Sequence, residues 1–417
     1  MRSSEGQPGG RAGAGGRRAV AAWVLYDFAN SIYPAVITVA VFSVYFARVV
    51  VGNEDGRGDL WWGRVLSLSM AIVALSSPVM GAIADRTGLR KQLLAAYTGL
   101  CVVAVAAFAT IRPGGLPWAF TLAVAANVGF EGALVFYNAY LPDLAPPGRQ
   151  GWLSGLGFGV GYLGSIAGLL LVLPLVRAGR YHQVWWAVAA FFAVGALPAL
   201  LWLPPSRRAA GAAAAVRQGV RRLRQQLAEV AALPDLRRFL IAYFLYIDGV
   251  TTAIYFTGIF AATTLGFASA ELIHLFVAVQ LSALAGAFLF ARPTDRWGPK
   301  AVVSATLVAW TAIDVAVYFV HAKATFFAVI CLAGTGLGAI QAASRAFVSR
   351  LAPEGREGEV FGFYALCGKS SAILGPLLLG SLSHALGGNQ RVAVLSLALF
   401  FLAGLALLQR VAAGQPG

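Results

Sequence analysis

Five ionisable residues stand where ionisable residues are expensive: Asp27, Glu131, Asp248, Arg345 and Lys369 lie inside apolar stretches of membrane-spanning length. At the centre of a lipid-facing helix each charge costs about 2.5–3.5 kcal/mol. Such residues therefore face a hydrated interior or one another, and they mark routes for solutes, ions or protons. Three acids against two bases leave one formal negative charge, which a single proton would cancel. Proton coupling through Glu131 or Asp248 is one chemistry this pattern predicts. A fixed salt-bridge network is the other.

The neighbours of two of these acids are related. Asp27 sits in Leu25-Tyr26-Asp27-Phe28-Ala29-Asn30-Ser31-Ile32-Tyr33. A second version, Leu245-Tyr246-Ile247-Asp248-Gly249-Val250-Thr251-Thr252-Ala253-Ile254-Tyr255, follows about 220 residues later. Helical spacing places Asn127, Glu131 and Asn138 on one face. It likewise lines up Asp248, Thr252 and Tyr255, and sets Gln341 one turn from Arg345. Expected polar contacts to a solute or ion are Tyr26, Asp27, Asn30, Glu131, Asn138, Asp248, Thr252, Arg345 and Lys369. Nothing in the sequence pairs a nucleophile with a base, so no catalytic residue is expected and the chain does not read as an enzyme. Cys101, Cys331 and Cys367 lack metal spacing and read as packing residues. His182, His274, His321 and His384 fall in loops or near helix ends, so neither a metal nor a cofactor is expected.

The elements that position these residues follow from composition. The 417 residues are 59% hydrophobic and only 12% charged, with mean hydropathy +0.74. Soluble domains carry roughly 25% charge, so the chain is an all-α membrane protein. Twelve apolar segments are predicted near 20–46, 61–84, 91–111, 116–141, 152–176, 184–203, 238–262, 270–291, 300–320, 324–350, 357–384 and 391–409. The net charge of +15 would suit nucleic acid, but its placement suits a bilayer. With the N-terminus in the cytoplasm, 22 Lys and Arg residues fall on that side and 8 on the other. An even number of spans then puts both termini in the cytoplasm. Nucleic acid is not an expected partner.

Internal repetition divides the chain. Leu144-Ala145-Pro146-Pro147-Gly148-Arg149 recurs as Leu351-Ala352-Pro353-Glu354-Gly355-Arg356, and Asp85-Arg86-Thr87-Gly88 as Asp295-Arg296-Trp297-Gly298. The predicted layout is a disordered tail 1–19, a first six-helix bundle 20–203, a basic linker 204–237, a second bundle 238–411 and a short tail 412–417. In the linker, Val216, Val220, Leu223, Leu227 and Val230 form an apolar face beside Arg217, Arg221, Arg222 and Arg224, as in a helix lying on an anionic membrane surface. Asp27 and Asn30 interrupt any signal-peptide core, so none is expected.

Two nucleotide-like patterns carry no such meaning. Gly159-Val160-Gly161-Tyr162-Leu163-Gly164 follows no strand, and Gly362 to Gly368-Lys369-Ser370 has one residue too many for a phosphate loop. Both lie in membrane helices, where Gly permits close packing. The energy source is then a gradient.

Gly81-Ala82-Ile83-Ala84-Asp85-Arg86-Thr87-Gly88-Leu89-Arg90-Lys91 resembles the loop signature of the major facilitator superfamily, with Ile83 for the usual Leu and Leu89 for a basic residue. The resemblance implies a gate formed by Gly81, Asp85, Arg86, Gly88, Arg90 and Lys91. Asp295 and Arg296 are its counterpart in the second half. It also implies that Asp85 approaches the start of the eleventh helix near Arg356.

A closer match is carried by Tyr26-Asp27-Phe28-Ala29-Asn30-Ser31-x-Tyr33, Phe136-Tyr137-Asn138-Ala139-Tyr140-Leu141-Pro142-Asp143-Leu144, Tyr246-Ile247-Asp248, Ser344-Arg345 and Phe361-Gly362-Phe363-Tyr364-Ala365-Leu366-x-Gly368-Lys369. These are similar to the vacuole effluxer-like family, which includes a fungal vacuolar amino-acid exporter linked to autophagy. The resemblance spans about residues 20–410. It implies the major facilitator fold, with twelve transmembrane helices in two parallel-repeat six-helix bundles, and alternating access. It also suggests amino-acid export.

The expected activity is secondary transport of a small polar solute by a monomer in a bacterial-type plasma membrane. The partners would be substrate, protons and lipid. A broad-specificity drug or metabolite efflux pump and a transporter-like solute sensor are the alternatives.

Overall fold

The computed structural model describes residues 14–145, 150–205, 232–353 and 357–412, with the backbone alone for 14, 15, 85, 86, 150, 151 and 357–359. Of the tail expected to be disordered over 1–19, residues 14–19 belong instead to the helix Ala14–Asn30, whose apolar run begins at Ala19; residues 1–13, the linker helix over Val216–Val230 and the contact of Asp85 with the eleventh helix near Arg356 fall outside the described residues.

Twelve helices among the described residues are long and apolar enough to cross a membrane. Gly16–Val51, Arg57–Ala84, Arg90–Thr110, Leu116–Leu144, Trp152–Arg177 and Tyr181–Trp202 make the first bundle. Pro234–Thr264, Ser269–Trp297, Pro299–Phe319, Lys323–Leu351, Val360–Ala385 and Gln390–Gln409 make the second. No strand occurs among the described residues.

Two spans run well past their predicted ends. The first continues to Val51, because Val49, Val50 and Val51 are apolar and Arg48 reaches back to hydrogen-bond the Ala262 carbonyl at 3.2 Å. The eighth continues to Trp297 as a polar turn whose Asp295 and Arg296 are exposed. Helix can persist there because side chains at the membrane edge reach water.

Pro34 shapes the first span. Lacking an N–H, it cannot complete the regular ladder, and residues Tyr33–Ala40 adopt a wider π-helical turn. There Val41 N–H donates to the Val36 carbonyl at 2.9 Å, five residues back. Such widened turns are common where a helix carries function.

The two halves repeat their internal ties as well as their helices. Lys91, opening the third span, donates to the Leu201 and Leu203 carbonyls at 2.9 and 3.0 Å at the end of the sixth. Lys300, opening the ninth, donates to Gln409 and Val411 at 3.1 and 2.6 Å at the end of the twelfth. At the opposite end His182 Nδ1 meets the Ala109 carbonyl at 2.7 Å, and Arg391 donates to Tyr318 at 2.9 Å. In each case a side chain satisfies carbonyls that a helix end leaves open. The matching positions lie 208 or 209 residues apart, so the repeat reaches individual hydrogen bonds.

Glycine sets how closely helices approach. Gly157, Gly161, Gly164 and Gly168 fall along one face of the fifth span. Added β-carbons there would meet Trp23, Ser31, the Phe28 backbone and Ile32 of the first span. Of the glycines in the nucleotide-like pattern, Gly161 and Gly164 serve this contact, while Gly159 has no atom within 4 Å. A Gly164→Ala substitution would place carbon inside the van der Waals radius of the Phe28 carbonyl oxygen. We expect it to destabilise the first bundle by about 1–3 kcal/mol, read as a lowered unfolding midpoint in detergent. Gly159→Ala should leave the midpoint unchanged.

Candidate functional site between the two bundles

The eleventh span is broken, and the break organises the middle of the molecule. Its first part ends at Ser371 and a second begins at Leu374, leaving Ala372 and Ile373 as a turn. Pro376 follows and cannot donate. A break inside a membrane is tolerated only if its freed groups find partners. Here Asp248 of the seventh span accepts the Gly375 N–H at 2.8 Å, and Ser67 of the second span donates to the Ile373 carbonyl at 2.6 Å.

Asp248 thus meets the positive end of a helix. It is fully buried, with Thr252, also fully buried, donating to its other oxygen at 3.4 Å. Gly375 has to be glycine, since a β-carbon would overlap the Thr252 hydroxyl and Asp248.

One turn before the break, Lys369 bridges the two bundles. Its Nζ donates to Glu131 Oε2 at 3.0 Å and to the Glu131 backbone carbonyl at 2.7 Å. The side chains are 18% and 13% exposed, so the pair is screened from bulk water yet reachable. Arg345 forms a second bridge, with its guanidinium 4.0 Å from the ring centre of Phe158 in the fifth span. It hydrogen-bonds Tyr364 and lies within electrostatic reach of Asp27 and Tyr162. Two cations of the second bundle thus each face a carboxylate of the first.

Other expected contacts have different surroundings. Tyr26 is fully buried in the first bundle, bonding Thr98 at 2.8 Å and stacking on Tyr137 at 5.0 Å. Asn30 is buried and donates to Asp27 at 3.5 Å. Asn138 is exposed. Asn127, on the same helix, is buried and donates to Ser69 at 2.6 Å. The shared face predicted for Asn127, Glu131 and Asn138 thus spans three environments, because the fourth span passes from bundle core to bundle end.

In the expected gating loop, Gly88 takes a left-handed turn with φ 74°. Arg90 pairs with Asp143 and donates to Ala139 at 3.1 Å, while Lys91 makes the tie to the sixth span. Both bases thus bind their own bundle. A β-carbon added at Gly81 would meet no atom of another element within 4 Å, and Asp295 and Arg296 are solvent-facing. The Asp85 and Arg86 side chains fall outside the description.

Sequence reasoning missed two buried carboxylates. Asp59 opens the second span, hidden among Gly56, Arg57 and Gly58, which read as loop. Asp314 lies inside the ninth span and was legible as a lone acid in an apolar run. Both are at least 95% buried. The inventory of three acids against two bases was therefore short by two acids, and one proton does not neutralise the set.

Asp59 is the centre of a seal. At the end of the molecule opposite Ala14 and Ala412 it accepts Ser383 Oγ at 2.6 Å, Gln390 Nε2 at 2.8 Å and Asn53 Nδ2 at 3.0 Å. Ser383 and Gln390 belong to the second bundle. Thr264 donates to Gln390 at 2.6 Å, and His384 Nδ1 meets the Asp55 carbonyl at 2.9 Å. Backbones touch beside it, since β-carbons at Gly63 or Gly380 would strike Pro376 or Asp59. The bundles are closed at this end.

Two six-helix halves, sealed at one end and bridged by opposite charges at mid-depth, define a transporter of the major facilitator class, a fold built for alternating access. The chain belongs to the vacuole effluxer Atg22-like family, whose model matches residues 64–415. An MFS-type transporter of Bacillus subtilis (strain 168), YxiO, is 30% identical over 399 residues, covering 93% of both chains. Autophagy-related protein 22 of Saccharomyces cerevisiae (strain ATCC 204508 / S288c) is 25% identical over 414 residues, covering 86% of this chain and 75% of its own. Among solved structures, a bacterial homologue of the human lysosomal transporter Spinster, in an inward-facing and unoccupied conformation, superposes with TM-score 0.66. It has 16% identity and covers 97% of this chain and 96% of its own.

Two outcomes test this geometry. Lys369→Met leaves Glu131 unpaired and should cost roughly 1–3 kcal/mol. Exchanging the two charges, Glu131→Lys with Lys369→Glu, should recover at least half of that loss in thermal unfolding. Asp59→Asn offers an amide N–H₂ where three donors converge. Spin labels at Arg57→Cys and Leu386→Cys, in a background without native cysteines, should then report a longer and broader distance distribution than in the same labelled chain with Asp59.

Proposed function

We propose that this protein carries a small zwitterionic solute, of the amino-acid class, across a bacterial-type plasma membrane, with both termini in the cytoplasm and the monomer as the working unit. The observation that carries the reading is the Glu131–Lys369 pair, which crosses from one bundle to the other, as does the electrostatic interaction of Asp27 with Arg345. A zwitterion presents both charges these groups require. Its carboxylate would take Lys369 or Arg345, and its amine Glu131 or Asp27. Substrate thereby replaces a contact that otherwise holds the halves together, which couples binding to rocking.

A proton on Glu131 would release Lys369 in the same way, and this is how we place proton coupling. Export is the direction suggested by the family. The excess of Lys and Arg on the terminal side supports the orientation.

The test is counterflow of labelled amino acids in proteoliposomes, with Lys369→Ala, Arg345→Ala and Asp248→Asn beside wild type. We expect uptake by wild type and at least a tenfold loss in Lys369→Ala and Arg345→Ala. Asp248→Asn should lower the unfolding midpoint together with flux, because its carboxylate holds the helix break. An imposed proton gradient should change the wild-type rate and leave Glu131→Gln indifferent. Folded wild type that carries no amino acid would overturn the substrate class and favour a pump for other metabolites, or a sensor.

A further inference from the structure

The second bundle is not filled. A cavity of about 180 Å³ lies among its helices, and the first span touches it through Pro34 and Val39. Its wall is aromatic, with Tyr255, Phe256, Phe260, Phe276, Trp310 and Phe326. Asp314 lines the same space. The residue is 5% exposed, and its Oδ2 has no hydrogen-bond partner. Trp310, one turn away on the same helix face, leaves its indole N–H unpartnered too.

Asp314 has a backbone hydrogen bond with Ala398, but an unpartnered carboxylate oxygen in an apolar wall needs an explanation, because buried polar groups are nearly always paired. Among the described residues no Lys, Arg or His lines the cavity. Arg391 stands nearby, 5.9 Å from the Phe260 ring centre, but it is engaged with the Val317, Tyr318 and Val320 carbonyls. Among the described residues nothing pairs with Oδ2, which points to a partner from outside the chain.

The chemistry of the walls says what kind. An anion is repelled by Asp314, and a neutral apolar molecule would leave it unpaired. A cation is attracted both by the carboxylate and by the faces of aromatic rings. The space is smaller than the roughly 300–1,000 Å³ clefts that hold drug-sized ligands, so the ligand is small.

We propose that this cavity binds a small protonated amine bearing an apolar group, its ammonium on Asp314 and its apolar part against the aromatic wall. Glu131, Arg345 and Lys369 do not line it, so the site goes beyond the zwitterion reading. Tyr255 is the shared wall. It borders the cavity and lies within electrostatic reach of Glu131 and Asp248.

The test is calorimetric titration of the purified full-length protein with phenethylamine, and with 2-phenylethanol as its neutral counterpart. We expect saturable one-to-one binding of the amine and at least tenfold weaker binding of the alcohol. Asp314→Asn should weaken amine binding at least tenfold and erase its preference over the alcohol. Ala333→Leu, which narrows the cavity with Asp314 intact, should weaken both ligands. Should Asp314→Asn fail to fold, Ala333→Leu and the wild-type preference decide the matter. Lys369→Met should bind phenethylamine like wild type, whatever its effect on transport. Equal binding of amine and alcohol, no saturable binding, indifference to Ala333→Leu, or loss in Lys369→Met would each overturn the proposal.

Discussion

A membrane interior offers no water to complete a broken hydrogen bond, and every polar choice in this chain answers to that. The eleventh span shows it most directly. Its turn at Ala372 and Ile373 frees backbone groups, and the partners come from two other spans, Asp248 of the seventh and Ser67 of the second. One of those spans belongs to each bundle. Satisfying the break therefore fixes where the halves meet, and the charged groups beside it take their positions from that meeting point. Lys369, one turn before the break, reaches Glu131 because the helix carrying it is held against the second span.

The remaining architecture divides labour between tying each half together and joining the halves. Lys91 and Lys300 close helix ends within their own bundles, as do His182 and Arg391 at the other face. Each bundle is thereby stiffened as a unit. Between them, hydrogen bonds gather from the Glu131–Lys369 pair toward the Asp59 seal. A rigid half turning against a rigid half, about a site at mid-depth, is the motion such a layout favours.

The sequence made the spans legible because twenty apolar residues in a row have few other uses. The repeat was legible for a related reason: parallel halves need the same loops at the same places. Asp27, Glu131, Asp248, Arg345 and Lys369 stood out by cost alone. The same rule applied to the ninth segment would have found Asp314. What could not be read was how each charge is satisfied. That Asp248 caps a helix could not be read, because the break it serves is visible only when two distant segments come together. Asp59 was hidden by glycines that read as loop but serve close helix contact. Tyr26 belonged to a conspicuous polar stretch, yet its hydroxyl is spent on Thr98 inside one bundle.

The seal around Asp59 is made of one carboxylate and neutral hydroxyls and amides, with no opposing charge. Dissolved ions weaken a contact by screening two exposed charges, and here there is only one, buried beneath touching backbones. This contact should therefore depend less on ionic strength than an exposed ion pair would.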